Sequence, residues 1–174
     1  MFENPTYIVL GVPKPCAERL RKLRKIHDPA RAKMDVEITI AGSSGVGTVS
    51  AGQDIEIACR LLREVSRQIK PFRASFGPPG RFPGTGIFYF SLLEHDKFLA
   101  AHKLVANCGL LFNPTPYPFL PHCTVKLAAQ VSAEEEFDLL SLKPPCGSFV
   151  VDSLSMYSLS GTKQKMLFHS RLGA

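Results

Sequence analysis

Along most of the chain the spacing of apolar residues sorts the sequence into alternating strands and helices. Residues 6–12 (TYIVLGV) form a short continuous apolar run, as a buried strand would. Residues 34–41 (MDVEITIA) alternate strictly: Met34, Val36, Ile38 and Ile40 point one way, Asp35, Glu37 and Thr39 the other. Residues 16–27 carry Ala17, Leu20, Leu23 and Ile26 at helical spacing, with Arg and Lys on the opposite face. A second helix is predicted over 53–70, with Ile55, Ala58, Leu61, Leu62, Val65 and Ile69 as its apolar stripe. Residues 71–84 hold three Gly/Pro clusters and read as a strand broken by a loop, followed by a strand at 86–93 and a helix at 95–108. Pro114, Pro116 and Pro118 mark a loop before a strand at 119–128, whose Leu120, His122, Thr124 and Lys126 share one face. A short acidic helix at 132–141 and strands near 148–159 and 164–172 complete the chain. No linker or low-complexity tract divides it, so residues 1–174 are expected to be one compact α/β (α+β) domain.

Two strands carry the same local pattern. One reads Glu37-Ile38-Thr39-Ile40 and the other, 85 residues later, His122-Cys123-Thr124-Val125. Each sets two polar side chains two residues apart on one strand face and backs them with apolar neighbours. Each also follows a strand–helix unit. This is the pattern of an internal duplication, and it predicts neighbouring central strands related by a pseudo-twofold, their polar pairs facing one cleft.

Composition narrows the picture only a little. Apolar residues make up 45% and charged residues 21%, which is ordinary globular usage and excludes a disordered chain. The net charge of +6 is compatible with an anionic partner. No apolar stretch approaches the roughly 20 residues of a membrane span, and no basic-then-apolar leader opens the sequence. Cys16, Cys59, Cys108, Cys123 and Cys146 are odd in number and lack CxxC spacing, so reduced thiols in a cytoplasmic protein are expected rather than disulfides or zinc. Residues 41–48 (AGSSGVGT) resemble the start of a phosphate-binding loop, but Thr48 stands where its lysine would be. The loop 42–52 is therefore read as a mobile flap beside the site. His27, His95, His102 and His169 are read as structural.

The segment Pro121-His122-Cys123-Thr124-Val125 resembles the second HxTx motif of the 2H phosphoesterases, the group of 2′-5′ RNA ligase-like proteins and cyclic phosphodiesterases. The order of elements resembles that family over nearly the whole chain. The likeness includes the Arg81-Phe82-Pro83 turn before an aromatic strand and the closing strand pair around Met156-Tyr157 and Leu167-Phe168. It implies two antiparallel sheets flanked by helices, with one HxTx pair from each half. The chain departs from the family in its first motif, where Glu37 replaces the histidine and Thr39 keeps the companion position.

In-line attack on a phosphodiester needs a base for the incoming oxygen, an acid for the leaving oxygen, and donors for the phosphoryl oxygens. Imidazoles titrate near neutrality and can share the first two tasks, and threonine hydroxyls supply the third. No metal is required and no cofactor is expected. A carboxylate at position 37 keeps a possible base but loses an acid, and it repels phosphate. Two unit charges about 4 Å apart interact by roughly 4 kcal/mol at an effective dielectric near 20. Pairing with protonated His122, or taking up a proton, would relieve Glu37 of that repulsion.

These residues lead to a 2H-type phosphoesterase acting on a 2′,3′-cyclic phosphate, a 2′-5′ linkage, an RNA terminus or a related phosphorylated small molecule. His122 is expected as general acid, Glu37 as base, and Thr39 and Thr124 as oxyanion donors. Lys126 and Arg81 are expected to bind substrate, with Arg31, Lys33 and Arg73 as further cations near the motif strands. A silent member that binds a phosphorylated ligand or RNA, and an enzyme using a Glu–His pair on a non-phosphate substrate, are the alternatives. No membrane and no obligate protein partner enter this reading.

Overall fold

The computed structural model describes residues 1–174. In chain order the elements are β1 (Thr6–Gly11), α1 (Lys14–His27), a 3₁₀ turn (Arg31–Lys33), β2 (Glu37–Ala41), α2 (Ile55–Gln68), β3 (Phe72–Arg81), β4 (Gly86–Leu92), α3 (His95–Ala106), β5 (His122–Ala128), α4 (Ala133–Leu140), β6 (Ser148–Val151), β7 (Ser153–Ser160) and β8 (Lys163–Arg171). All strand pairs are antiparallel and make two four-stranded sheets, β2-β1-β7-β8 and β5-β4-β3-β6.

The duplication is visible in the pairing. β1–α1–β2 and β4–α3–β5 are equivalent units, each joining two paired antiparallel strands through a helix. The helices are exchanged between halves, with α1 packing on β5 and α3 on β2. One apolar core runs through both halves, from Ile8, Leu10, Ile38 and Ile40 through Leu62 and Phe98 to Phe88, Phe90 and Val125.

The motif strands are placed differently from the expectation. β2 and β5 are not central strands: each is the outer strand of its own sheet, and they lie side by side without a shared ladder. Their contact includes the Cys123 thiol, which donates to the Glu37 carbonyl at 3.2 Å.

Helix ends follow local chemistry. α1 begins at Lys14, two residues before the predicted start at 16, with Pro13 at its N-cap and Pro15 in its first turn, where a proline loses no hydrogen bond. Asp54 caps α2 by accepting from the amides of Glu56 at 2.8 Å and Ile57 at 3.0 Å. Ser132 caps α4, whose three consecutive glutamates sit at the favourable end of the helix dipole. The segment 72–81 is one strand despite its prolines, because β6 pairs only with its first part, up to Ser75. Beyond that point one edge of β3 is free, which is where a strand tolerates proline.

Three expectations are corrected here. In α1 the buried residues are Cys16, Ala17, Leu20 and Arg24, while Ile26 is 73% exposed, so the buried stripe contains a guanidinium. The loop 42–52 is laced to 111–119 rather than free. Gly45 N–H donates to the Tyr117 carbonyl at 2.9 Å, Asn113 N–H donates to the Thr48 carbonyl at 2.8 Å, and the Gln53 amide donates to the Leu111 carbonyl at 2.8 Å. Gly47 is required in it, since φ is +93° and a Cβ would collide with the Asn113 carbonyl. The third concerns the thiols.

Cys16 and Cys146 form a disulfide with Cα atoms 5.5 Å apart, leaving Cys59, Cys108 and Cys123 free. A separation of 130 residues gives no spacing cue; the pair meets only because the loop after α4 returns past α1. A disulfide is at home in oxidising compartments, so the cytoplasmic expectation loses the support it drew from reduced thiols. No helix is long and apolar enough to cross a membrane. Closing so long a loop contributes about 4–5 kcal/mol in the chain-entropy model, and losing a native bridge typically costs ~2–5 kcal/mol. Denaturant unfolding of Cys146→Ser should show a loss in that range. Thiol titration of the unfolded, unreduced wild type should count three free thiols. Five thiols without reductant would remove the bridge.

Candidate active site

On β2 the side chains of Glu37 and Thr39 are half-buried and opposite the fully buried Ile38 and Ile40. On β5 His122 and Thr124 are half-buried and opposite the buried Cys123 and Val125. The four motif residues thus lie on the open faces of two adjoining edge strands.

Between those strands lies Arg24, 1% exposed. Its Nε and Nη2 donate to the Thr124 carbonyl at 3.1 and 2.8 Å, and its Nη1 donates to the Asp35 carbonyl at 3.0 Å. One guanidinium therefore ties β5 to the residues that enter β2, and it places a positive charge near Glu37.

Glu37 is held by the β7–β8 hairpin. Gln164 donates through Nε2 to Glu37 Oε1 at 3.1 Å and accepts the Asp35 amide at 2.8 Å. The other carboxyl oxygen, Oε2, is buried and has no partner. Burial, the largest cause, raises the Glu37 pKa to about 7; nearby Asp35 raises it too, while Arg24, Arg31 and the Gln164 bond oppose the rise. The carboxyl thus titrates near neutrality, and Oε2 is the oxygen with no bond to oppose a proton.

His122 is shifted in the opposite direction. Burial lowers its pKa below the usual histidine value, partly offset by its bond to the Leu120 carbonyl, while the charge of Arg31 lowers it further. Nδ1 lies 2.7 Å from that carbonyl, which can only accept, so Nδ1 carries the proton and Nε2 keeps its lone pair. The ring is walled by Phe82 at 4.9 Å and Tyr89 at 5.3 Å, both edge-on. The thiol of Cys123, pushed up to about 11 mainly by burial, stays protonated and is no nucleophile.

Glu37 also faces a cavity of about 260 Å³ whose walls include Arg21, Asp35, Ser155, Tyr157 and His169. His122 and Thr124 are not in its lining. Tyr157 Oη donates to Asp35 at 3.1 Å, and His169 bonds Ser155 at 2.9 Å. His102 is buried, with Nδ1 2.7 Å from the Ile40 carbonyl and its ring stacked on Phe119 at 4.0 Å.

The two cations assigned to substrate are engaged elsewhere. The register of β4 against β5 slips between Phe88 and Tyr89, which pair with Lys126 and Thr124, so Val125 is an additional, bulged residue. The bulge takes Lys126 out of the row of His122 and Thr124. Its ammonium donates to the His27 carbonyl and to Glu135, both at 2.7 Å. Arg81 pairs with Glu136 at 2.7 Å, donates to the Thr85 carbonyl at 2.6 Å and lies over the Phe88 ring. Both cations anchor α4, and neither joins the motif residues.

Sequence reasoning missed Arg24, Gln164 and Tyr89 as site-forming groups. Arg24 carried a signal, since it falls four residues after Leu20 on the apolar stripe. Gln164 and Tyr89 carried none, because their roles depend on strand register.

This geometry, one polar pair from each half on adjoining strands of a duplicated two-sheet domain, is that of a 2H phosphoesterase. Residues 12–163 match the family model of the 2′-5′ RNA ligase superfamily, and the chain belongs to that family. It is 27% identical over 134 residues, 76% of this chain and 75% of the relative, to the "Putative phosphoesterase" of Bacillus licheniformis. The fold is shared with Escherichia coli LigT complexed with 3′-AMP, with a TM-score of 0.66, 18% identity and coverage of 97% of this chain and 98% of that one. It is shared likewise with a protein of Thermus thermophilus, with a TM-score of 0.61, 15% identity and 98% coverage of both chains.

The Glu37 carboxyl makes a testable demand on stability. Its pKa is about 7 folded against 4.5 as a free side chain, so the folded state binds the proton more tightly. Below pH 4.5 both states are protonated and nothing is lost. As pH rises from 4.5 to about 7 only the unfolded chain gives up its proton, and folding is progressively disfavoured. Above that the penalty is constant at about 3 kcal/mol. Glu37→Gln removes it, so urea unfolding should show the variant gaining on wild type between pH 4 and pH 8 by up to that amount. A difference that does not change with pH would place the Glu37 pKa at its ordinary value.

Proposed function

We propose that the protein is a phosphodiesterase that opens a 2′,3′-cyclic phosphate or a 2′-5′ linkage, with Glu37 as proton donor and His122 as proton acceptor. The roles expected from sequence are exchanged. What supports the exchange is the hydrogen-bond arrangement: the Leu120 carbonyl fixes the proton on His122 Nδ1, while Glu37 Oε2 is buried without a partner. His122 Nε2 takes a proton from the attacking water as its oxygen bonds to phosphorus. The P–O bond to the ribose oxygen breaks, and Glu37 Oε2 delivers its proton to that oxygen. His122 then returns the acquired proton through solvent to Glu37. Thr39 and Thr124 donate to the phosphoryl oxygens. The proton balance closes without a metal. A protonated Glu37 also lacks the charge that would repel phosphate.

The likeness to LigT, whose complex with 3′-AMP shares this fold, supports a nucleotide-sized phosphoester. Lys126 and Arg81, the two cations expected to bind substrate, are tied to α4, and the likeness to the 3′-AMP complex favours a small phosphorylated molecule or the terminal nucleotide of RNA.

A pH profile alone does not assign the roles. Neutral Glu37 with neutral His122, and charged Glu37 with charged His122, hold the same number of protons and give the same bell. Variants and leaving groups separate them. On 2′,3′-cyclic AMP both Glu37→Gln and His122→Ala should lower turnover by the ~10²–10⁴-fold of a lost proton-transfer group. On an activated aryl phosphodiester, whose leaving group needs no acid, Glu37→Gln should recover most of its rate and His122→Ala should not. The opposite pattern would restore the sequence-based roles. Glu37→His, which rebuilds the two-histidine arrangement, should also turn over the cyclic nucleotide. Binding of inorganic phosphate without turnover of either ester would make the protein a silent binder, and indifference to both would remove phosphate chemistry altogether.

A further inference from the structure

Arg31, expected from sequence only as a cation near the motif strands, has no role in the proton transfers. Arg31 stands in the 3₁₀ turn between α1 and β2. That turn is fastened to the free edge of β5, because Asp28 Oδ2 accepts the Leu127 amide at 3.0 Å while Asp28 Oδ1 accepts the Arg31 amide at 2.9 Å. The Arg31 side chain is 23% exposed, and its closest carboxylate is Asp28, with Nε 3.8 Å from Oδ2. At that distance the pair is not hydrogen-bonded, and Nε is buried with no partner. Its charge is felt on both motif strands, by Glu37 on one and by His122 and Cys123 on the other. Arg24, the other guanidinium there, has its donors committed to two carbonyls.

A buried, unpartnered guanidinium nitrogen on a turn tied to β5, close enough for its charge to act on Glu37 and His122, is the chemistry of an oxyanion site awaiting its anion. We propose that Arg31 is the anion clamp of this site, binding a non-bridging oxygen of the phosphoryl group through its guanidinium. The inference rests on the phosphodiesterase reading and adds to it the group that holds the substrate's charge. With the first imidazole replaced by a carboxyl, the motif residues themselves supply no permanent cation; Arg31 brings one from outside both motifs. The electrostatics are coherent, because the groups facing Arg31 are Asp28 from its own turn, Glu37 from β2, His122 and Cys123 from β5, and Arg24 from α1. Only Asp28 is a full counter-charge once Glu37 holds its proton, so the site keeps a net pull on phosphate.

The test compares wild type with Arg31→Gln, Arg31→Lys and Lys33→Met, the last altering an exposed cation in the same turn. The readouts are inhibition by inorganic phosphate and hydrolysis of 2′,3′-cyclic AMP, with folding checked by thermal unfolding. Arg31→Gln should weaken phosphate inhibition and raise KM by about tenfold or more, as loss of a charge-assisted bond does. Arg31→Lys should recover part of that loss, and Lys33→Met should match wild type. Because Arg31 lowers the Glu37 pKa, the alkaline limb of the Arg31→Gln profile should move to higher pH. A folded Arg31→Gln with phosphate inhibition and KM within about twofold of wild type overturns the clamp and leaves the phosphodiesterase reading standing. An equal loss in Lys33→Met, or no recovery in Arg31→Lys, overturns it as well. Absence of both phosphate inhibition and turnover in wild type overturns both readings.

Discussion

The structure depends on how two sheets meet at their outer strands. β2 and β5 share no ladder, so their edges need other partners, and a buried edge carbonyl left unpaired is costly. Arg24 supplies three donors at that seam, two to the Thr124 carbonyl and one to the Asp35 carbonyl. The Cys123 thiol adds a weaker bond across it. A fully buried guanidinium is itself expensive, and it persists only where its donors are satisfied and opposite charge lies near. Removing one partner from such an arrangement typically costs ~3–5 kcal/mol, more than any single surface contact in this molecule can contribute. A side chain outside both motifs therefore helps to fix the two polar pairs relative to each other, along with the exchanged helices α1 and α3.

The same seam explains which parts of the protein could be read from the sequence. Alternation in β2 and the helical stripe of α2 are local properties, and the elements lie within a few residues of where the pattern puts them. The duplicated x-φ-T-φ strands foretold that Glu37, Thr39, His122 and Thr124 would lie on the open faces of two adjoining strands. They did not reveal that the strands lie at sheet edges, because pairing partners are chosen by the whole chain. The bulge at Val125 was equally hidden: one additional residue reverses which side a long side chain takes, and it moved Lys126 from the motif row to α4. The Arg81 ion pair was hidden for a related reason, since its charge partner, Glu136, lies 55 residues along the chain. The disulfide follows the same rule, for Cys16 and Cys146 come together through the packing of α1 and the return of the chain after α4.

Replacing a histidine with a glutamate looks at first like the loss of a site. In water the two side chains titrate more than 2 units apart and carry opposite charges when ionised. Burial narrows the difference. A carboxyl taken out of water resists ionisation, and in this site its pKa is raised to about 7 despite two guanidinium groups nearby. The group that results is neutral when protonated, where an imidazole would be cationic, and anionic when deprotonated, where an imidazole would be neutral. Its proton affinity resembles that of the residue it replaces, but its charge is lower by one in each state.

That difference of one charge bears on the whole neighbourhood. In a two-histidine site, one ring or the other is cationic through much of the cycle and can hold the phosphoryl charge. With Glu37 the cationic state is absent from β2, and His122, lowered by burial, is mostly neutral as well. Under the proposed mechanism, a phosphate entering the site finds its counter-charge in residues that do not transfer protons. The seam already contains two such groups. Arg24 is bound to carbonyls and works as structure, whereas Arg31 has a buried nitrogen without a bond. In the proposed mechanism, separating proton transfer from charge neutralisation lets burial be the largest influence on the acid and the base. Their pKa values need not answer also to the task of holding the substrate.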